Sequence, residues 1–345
     1  MFQTFYKIVF SILVFYAGIT VLHAENSRTT CFRAMFYNVE NLFDCEPDSI
    51  KNDKEFIPTA KRNWNSNKYN KKLSDIAHVI QSLGKEHQAA IIGLCEIENK
   101  NVLKDLTNQP TLKGYHFIHY ESPDARGIDV ALLYSPSMYH PVKTEAIPIL
   151  FPHEHKTTRD ILYVKGNVAR TGDSLHIFIC HFPSRSQGIK KTEPYRIQAA
   201  GILKEKTDSI FKLFPNTNIL IMGDFNDYPT NHSISQILKA EKISPSPSTS
   251  TLYNLTYPLA EKGKGSYKHQ GKWCMMDQII VSGNLLNTGS TLYTTEKDIQ
   301  IYNTSFLLET DNKYDGHKPF RTYYGIKYNG GYSDHLPVYT DFHCQ

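Results

Sequence analysis

The sequence predicts an α/β fold, and three observations carry that reading. Two runs, Ala89-Ala90-Ile91-Ile92-Gly93-Leu94-Cys95 and Ile219-Leu220-Ile221-Met222, are continuously apolar, as strands buried on both faces are. Helical spacing precedes each of them, with Leu73, Ile76, Ala77, Ile80 and Leu83 before the first and Ile202, Leu203, Ile210 and Phe211 before the second. Each run then stops abruptly, at Glu96 in one case and at Gly223-Asp224-Phe225-Asn226 in the other. That puts carboxylates at the carboxyl ends of core strands, where open α/β sheets place their ligands. Taken alone, the second stretch reads as a plain turn, because Gly, Asp and Asn are the commonest turn formers.

The chain has 345 residues, ample for a sizeable core, and a mild formal charge of +4. That charge permits contact with phosphates but falls short of the polybasic signature of a dedicated nucleic-acid binder. Lys7, the apolar run Ile8–Leu22 and Ala24 before Glu25-Asn26-Ser27 form a secretory signal pattern. The run is shorter than the roughly 20 apolar residues of a spanning helix, so residues 1–24 are expected to be cleaved. The protein is then exported, whether periplasmic, outer-surface or secreted. Residues 25–345 show no repeat and no linker and are read as one domain. Export places six cysteines in a disulfide-permissive compartment, and none has zinc-ligand spacing. Cys95 and Cys180, inside apolar runs, are expected as buried free thiols.

In chain order, residues 31–37 alternate and carry aromatics, a strand ending at Asn38-Val39-Glu40-Asn41. Residues 46–70 are polar, and Lys51, Lys54, Lys61, Arg62, Trp64 and Lys68 read as a surface loop. A helix from Lys71 closes at Gly84, and the strand 89–95 is followed by a short helix through Leu103 and Leu106. Two hairpins are expected, 116–120 with 130–134 and 161–168 with 175–180, the latter ending in His181-Phe182-Pro183-Ser184-Arg185. Pro194 suits the first turn of a long helix. Beyond Asp227 come a helix at Ile234–Leu238 and an irregular Ser244-Pro245-Ser246-Pro247-Ser248. Met275–Val281 is a strand enclosing Asp277, residues 298–331 are a surface excursion, and Ser333-Asp334-His335 opens a last strand, 336–342.

Five apolar runs therefore end in carboxylates, amides or imidazoles. Each has a bland explanation: Glu40 and Asp334 as caps, His181 as a bonded core histidine, Asp277 as half of an ion pair. Together they are harder to dismiss, since turns supply single caps rather than a converging ring. Carboxylate oxygens suit Mg²⁺ or Mn²⁺ rather than zinc. Asparagines can donate to phosphate oxygens, and histidines with spare carboxylates can move protons. Phosphoester hydrolysis needs these parts: neutralised charge, an activated water and a stabilised leaving oxygen. No nucleophile-elbow serine is present, and a glycosidase would leave both histidines and Asn226 unemployed.

The set Asn38-x-Glu40, Glu96, His181, Gly223-Asp224-x-Asn226, Asp277 and Ser333-Asp334-His335 resembles the endonuclease/exonuclease/phosphatase superfamily, in the right order over about residues 33 to 342. The resemblance, placed in a secreted bacterial branch, implies a four-layer sandwich of two mixed β-sheets packed face to face and flanked by helices. It implies Glu96 as principal ligand of one or two Mg²⁺ or Mn²⁺ ions, with Asn38, Glu40 and Asp334 nearby. Asp224 would orient or deprotonate water, Asn226 would hold a phosphate oxygen, and Asp277 would fix the tautomer of His335, which acts on the phosphate with His181 beside it. Glu40 departs from the Asp of the abasic-site enzymes, a longer reach that leaves the metal count open. Arg126 and Arg185 are candidate phosphate contacts, and Arg159 a weaker one. In such sandwiches the first and last strands are antiparallel neighbours, which implies a Cys31–Cys344 disulfide.

The function expected is an exported phosphodiesterase, a nuclease acting on DNA or RNA before a phosphatase or phospholipase-C-like enzyme of inositol phosphates or sphingolipids. For a nuclease, residues 51–72 and Lys264, Lys268, Lys272 and Trp273 would line a basic groove; for a lipid enzyme, Leu150-Phe151-Pro152 is a weak apolar hairpin. A non-catalytic surface binding protein would have lost one of Glu96, Asp224, Asp277 or His335, and all four are present. A monomer with no stable protein partner is expected.

Overall fold

Alternate residues of the first strand, β1 (Thr29–Leu42), build two different cores. Phe32, Ala34 and Phe36 face inward against a second sheet, while Met35, Tyr37 and Val39 face outward against helices. The computed structural model describes residues 29–48, 51–151 and 156–345. The expected signal segment, 1–24, and Pro152 lie outside the described residues. Among the described residues no helix is long and apolar enough to cross a membrane.

After β1 come α1 (Ser66–Leu83), β2 (Ala89–Ile97), α2 (Lys100–Thr107), β3 (His116–His119), β4 (Asp129–Tyr134) and β5 (Tyr139–Ile147). Next are β6 (Ile161–Val168), β7 (Ser174–His181), α3 (Ile189–Leu213), β8 (Asn218–Asp224), β9 (Ala240–Glu241) and β10 (Leu252–Asn254). The short helix α4 (Tyr257–Glu261) precedes β11 (Tyr267–His269), β12 (Lys272–Cys274) and β13 (Asp277–Ser282). The chain closes with β14 (Leu292–Tyr293), β15 (Gln300–Ile301), β16 (Leu308–Thr310), β17 (His317–Pro319), β18 (Tyr323–Tyr324), β19 (Lys327–Tyr328) and β20 (Val338–Cys344).

One sheet runs β14-β20-β1-β2-β4-β3, with β15 also on β20; the other runs β5-β6-β7-β8-β13-β10-β9. Both are mixed, because β1–β2 and β7–β8 are parallel while β1–β20 and β8–β13 are antiparallel. Between the sheets lie Phe32, Phe36, Val164, Ile177, Leu220 and Ile279. Outside the first sheet, Leu94 and Val39 meet Leu73, Ile76 and Ile80 of α1 and Leu103 and Leu106 of α2. Outside the second, Ile219, Ile221 and Phe178 meet Ala199, Ala200 and Leu203 of α3. Helix, sheet, sheet, helix: the expected four-layer sandwich is the fold. A Cys31–Cys344 disulfide ties the first strand to the last, Cα to Cα 5.3 Å, as the resemblance implied.

Several local expectations change. Trp64, read as part of a surface loop, is fully buried, its indole N–H donating to the Phe43 carbonyl at 2.9 Å and its ring against Phe56 and Tyr323. An aromatic among lysines looks exposed in sequence, but burying so large a ring is worth several kcal/mol and decides its place. Helix α1 starts earlier than expected, capped by Asn65, whose side chain accepts from the Lys68 N–H. Lys72 on that helix is buried, donating to Thr322 Oγ1 at 2.6 Å. Trp64 and Lys72 are therefore not available to a basic groove, while Lys54, Lys61 and Lys71 stay exposed. Pro194 lies inside α3 rather than in its first turn, since the helix begins at Ile189. The excursion 298–331 is folded into short two-stranded ribbons, β16–β17 and β18–β19.

Candidate active site

The inward-facing column that makes the central core does not stop at the sheet edge; it turns polar. On β7 the inward residues are Leu175, Ile177 and Ile179, and the next in phase is His181. On β8 they are Leu220 and Met222, then Asp224; on β13, Ile279 and Val281 follow Asp277. Register aligns the three polar ends, with His181 opposite Asp224 and Asp224 opposite Asp277. On the facing sheet Phe32, Ala34 and Phe36 continue to Asn38. A strand period of two thus delivers four functional groups to one mouth of the sandwich. Gly223 permits this closeness, because a Cβ there would sit 2.5 Å from the Cys180 carbonyl oxygen.

Two acids arrive by a sharper route. Glu40 and Glu96 have φ of 53° and 63°, and Asn41 and Asn226 have 56° and 49°. Left-handed backbone is uncommon for glutamate and costs on the order of 1 kcal/mol or more. It turns the strand ends so that both glutamates aim into the mouth. Glu96 Oε2 accepts the Asn41 N–H at 2.9 Å, and its Oε1 lies 3.5 Å from Asn38 Nδ2. Asn38 Nδ2 also donates to Asp224 Oδ2 at 3.2 Å, linking the two sheets.

Asp224 is the centre of the group. Its Oδ2 lies 3.7 Å from His181 Nε2 and 3.9 Å from His335 Nε2, and its Oδ1 takes the Asn226 N–H at 2.9 Å. Burial, then the charge of Asp277, pushes its carboxyl up to about 6, against the pull of His335, Asn226 and Asn38. The two histidines are driven apart. Burial works against charge on His335, but Asp277, bonded Oδ2 to Nδ1 at 2.6 Å, outweighs it and holds the imidazole protonated well above its usual range. His181 is pushed well below its usual range by burial and then by Arg159, Arg126 and His335, and its Nδ1 has no partner among the described residues. One imidazole is a cation and the other neutral, the separation that divides acid from base work.

Supporting contacts hold this arrangement. The Ser266 hydroxyl donates to Asp277 Oδ2, and the Tyr267 ring stacks on His335 with centroids 4.8 Å apart. Ser333 Oγ donates to the Asn38 carbonyl at 2.7 Å and accepts the His335 N–H at 3.1 Å, pinning the final turn to β1. Glu40 and Asp334 meet a residue the sequence reading missed. Arg321 donates to Glu40 Oε1 through Nε and Nη2, at 3.2 and 3.1 Å, and to Asp334 Oδ2 at 2.9 Å. Arg321 sits between two short ribbons in a polar segment with no periodicity, so only its nearness in sequence to Ser333-Asp334-His335 marked it.

The other candidates are placed as follows. Asn226 Nδ2 donates to the Phe182 carbonyl at 3.1 Å, leaving one amide hydrogen for a ligand. Arg126 is about half exposed in the loop before β4. Arg185 is held within the protein through Nε and Nη2, which donate to the Asn226 carbonyl, Asp227 and Asn231 Oδ1. Arg159 is buried and held by Asp124 and the Phe182 carbonyl, its Nε without a partner among the described residues. Both brace the turns that carry His181 and Asp224. Lys268 is paired with Asp311 at 2.9 Å, and Trp273, Lys264 and His317 line a separate cavity of about 350 Å³.

The chain matches the model of the Endonuclease/Exonuclease/phosphatase family over residues 33–343. No curated protein matches it. Among solved structures it is similar to an endonuclease/exonuclease/phosphatase family protein from Bacteroides thetaiotaomicron, at 15% identity and TM-score 0.57, covering 92% of this chain and 99% of that one. It is also similar to a mannosyl-6-phosphatase from the same organism (15%, TM-score 0.54, 90% and 99% covered). TDP2 of D. rerio, complexed with a single-strand DNA product, is similar at 14% and TM-score 0.54, with 90% and 98% covered.

Proposed function

The chain belongs to the Endonuclease/Exonuclease/phosphatase family, and from that premise we propose that it is an exported, Mg²⁺- or Mn²⁺-dependent hydrolase of phosphodiesters. One observation carries the reading: Asp224, its carboxyl near 6, lies between a neutral His181 and a cationic His335 backed by Asp277. A base poised near neutrality and an acid on its other side suit attack of water on phosphorus. The mouth holds only oxygen and imidazole donors with no thiolate, a set that fits Mg²⁺ or Mn²⁺. Glu96, with Asn38 beside it, would hold the ion. When bound, the ion would neutralise charge on the phosphate and the leaving oxygen.

The chain's own residues do the rest. Asp224 takes a proton from the attacking water, and Asn226 fixes that carboxylate by its backbone N–H. His335 donates to the phosphate or the departing oxygen, its Nδ1 proton held by Asp277. His181, neutral and buried, offers a hydrogen bond without adding charge. Trp64 and Lys72 are buried, and Lys54, Lys61 and Lys71 are the cations of residues 51–72 left open to a polyanion.

The test is turnover of the mature protein on an aryl phosphodiester, plasmid DNA, RNA, sphingomyelin and sugar phosphates, with Mn²⁺ or with chelator. Metal-dependent cleavage of diesters ahead of monoesters is expected. Preference for a sugar monophosphate would overturn the diester reading, and no metal-dependent turnover on any substrate would sink the enzyme.

A further inference from the structure

We infer that Arg321 is the built-in cation of this mouth, standing where a second divalent ion would otherwise be required, so that the chain takes a single divalent ion, at Glu96. The inference rests on the metal-dependent reading above and deepens it.

Glu40 and Asp334 lie side by side, and Glu40 is buried. Two adjacent carboxylates in such a place need a cation. Arg321 supplies it with a fork: Nε and Nη2 reach Glu40 Oε1, and Nη2 also reaches Asp334 Oδ2. The other oxygen of Glu40 takes the Thr322 N–H at 2.6 Å. Both oxygens of Glu40 are therefore engaged, and an ion there would have to displace a guanidinium and a backbone donor together. Glu96 differs, with one close N–H on Oε2 and only a 3.5 Å neighbour at Oε1. Its lone pairs remain open to a ligand.

The guanidinium cannot easily swing away, because the chain that follows it is clamped. Lys72 Nζ donates to Thr322 Oγ1, Tyr323 Oη donates to the Arg62 carbonyl at 3.0 Å, and Arg62 Nη1 donates to the Gly325 carbonyl at 2.7 Å. The Tyr323 ring rests against buried Trp64. The third nitrogen, Nη1, has no partner among the described residues, and the side chain stays 31% exposed. That edge is free to meet a phosphate oxygen, a geometry that lysine or a hydrated metal would not reproduce.

The experiment is isothermal titration of Mn²⁺ into wild-type protein and Glu40→Gln, Glu96→Gln, Arg321→Gln and Arg321→Lys variants, each confirmed folded by circular dichroism. Wild type should bind one ion. Glu40→Gln should change that affinity by less than about threefold, and Glu96→Gln should weaken it by about thirtyfold or more. Arg321→Gln, which frees two carboxylates, should bind a second ion, whereas Arg321→Lys should stay at one. Two ions on wild type, equal weakening by Glu40→Gln and Glu96→Gln, or a single ion on Arg321→Gln would each overturn the inference and leave the hydrolase intact. Absence of Mn²⁺ binding by wild type would instead sink the metal-dependent reading itself.

Discussion

Replacing Asp277 by asparagine removes one charge and almost no volume. The bond it makes to His335 Nδ1 is 2.6 Å long between two buried groups, and the Ser266 hydroxyl donates to the same oxygen. A hydrogen bond to a charged partner contributes about 1.5–3 kcal/mol. Without that bond His335 loses the largest of the pulls that hold it protonated. Its remaining elevation comes from Asp224 and Asp334. The same free energy, withdrawn from the transition state, lowers kcat by about 10- to 200-fold, with further loss if the imidazole adopts the wrong tautomer. The other oxygen of Asp277 has no partner among the described residues, so the amide nitrogen placed there costs about 1–3 kcal/mol of stability as well. The assay is kcat on an aryl phosphodiester with saturating Mn²⁺ across pH 5–10, beside a urea melt. The alkaline limb should move toward acid. A variant within about twofold of wild type, with its alkaline limb unmoved, would refute the role of Asp277 as the group that keeps His335 charged.

Three further outcomes follow from the same structure. His176, bonded to the Tyr163 hydroxyl at 2.8 Å, is pushed down to about 4 by burial and then by Lys165. Between about pH 4 and 6.5 the unfolded chain then binds the extra proton, so stability rises with pH through that window; His176→Gln should flatten the slope by about 2 kcal/mol in urea melts. Cys31→Ser, which opens a link spanning 313 residues, should lower stability by about 2–5 kcal/mol, and a reducing agent should do the same to wild type but nothing to the variant. Gly223→Ala drives a methyl against the Cys180 carbonyl between β7 and β8 and should cost about 1–3 kcal/mol, with kcat falling because His181 and Asp224 are the next residues on those strands.

Much of the site was legible because it obeys the same alternation as the core. His181, Asp224 and Asp277 are the next inward positions on strands whose apolar residues announce themselves, so reading the strand ends found them. Alternation could not reveal Arg321. It acts through a segment of two- and three-residue ribbons, too short for any period, and its value comes from contacts 281 and 13 residues away in sequence. Trp64 was misread for the opposite reason: its neighbours are polar, but long-range contact with Tyr323 and Phe56 buries it. β5 escaped because it is an edge strand, with Pro141 and mostly exposed or half-buried residues, and carries little apolar signal. Arg185 and Arg159 looked like free cations in sequence and are instead internal braces.

The two sheets carry different reactive parts: Asn38 and Glu96 on one, His181, Asp224 and Asp277 on the other. The gap across which these parts must cooperate is therefore a wall thickness, set by the filling between the sheets. Gly93 marks a close approach, where an added methyl would stand 2.8 Å from Ile179 Cδ1. Filler volume at Gly93 and Ile179, far from any reacting atom, acts as a shim beneath a jaw. The spacing of the two halves of the candidate site is thus set by residues outside it.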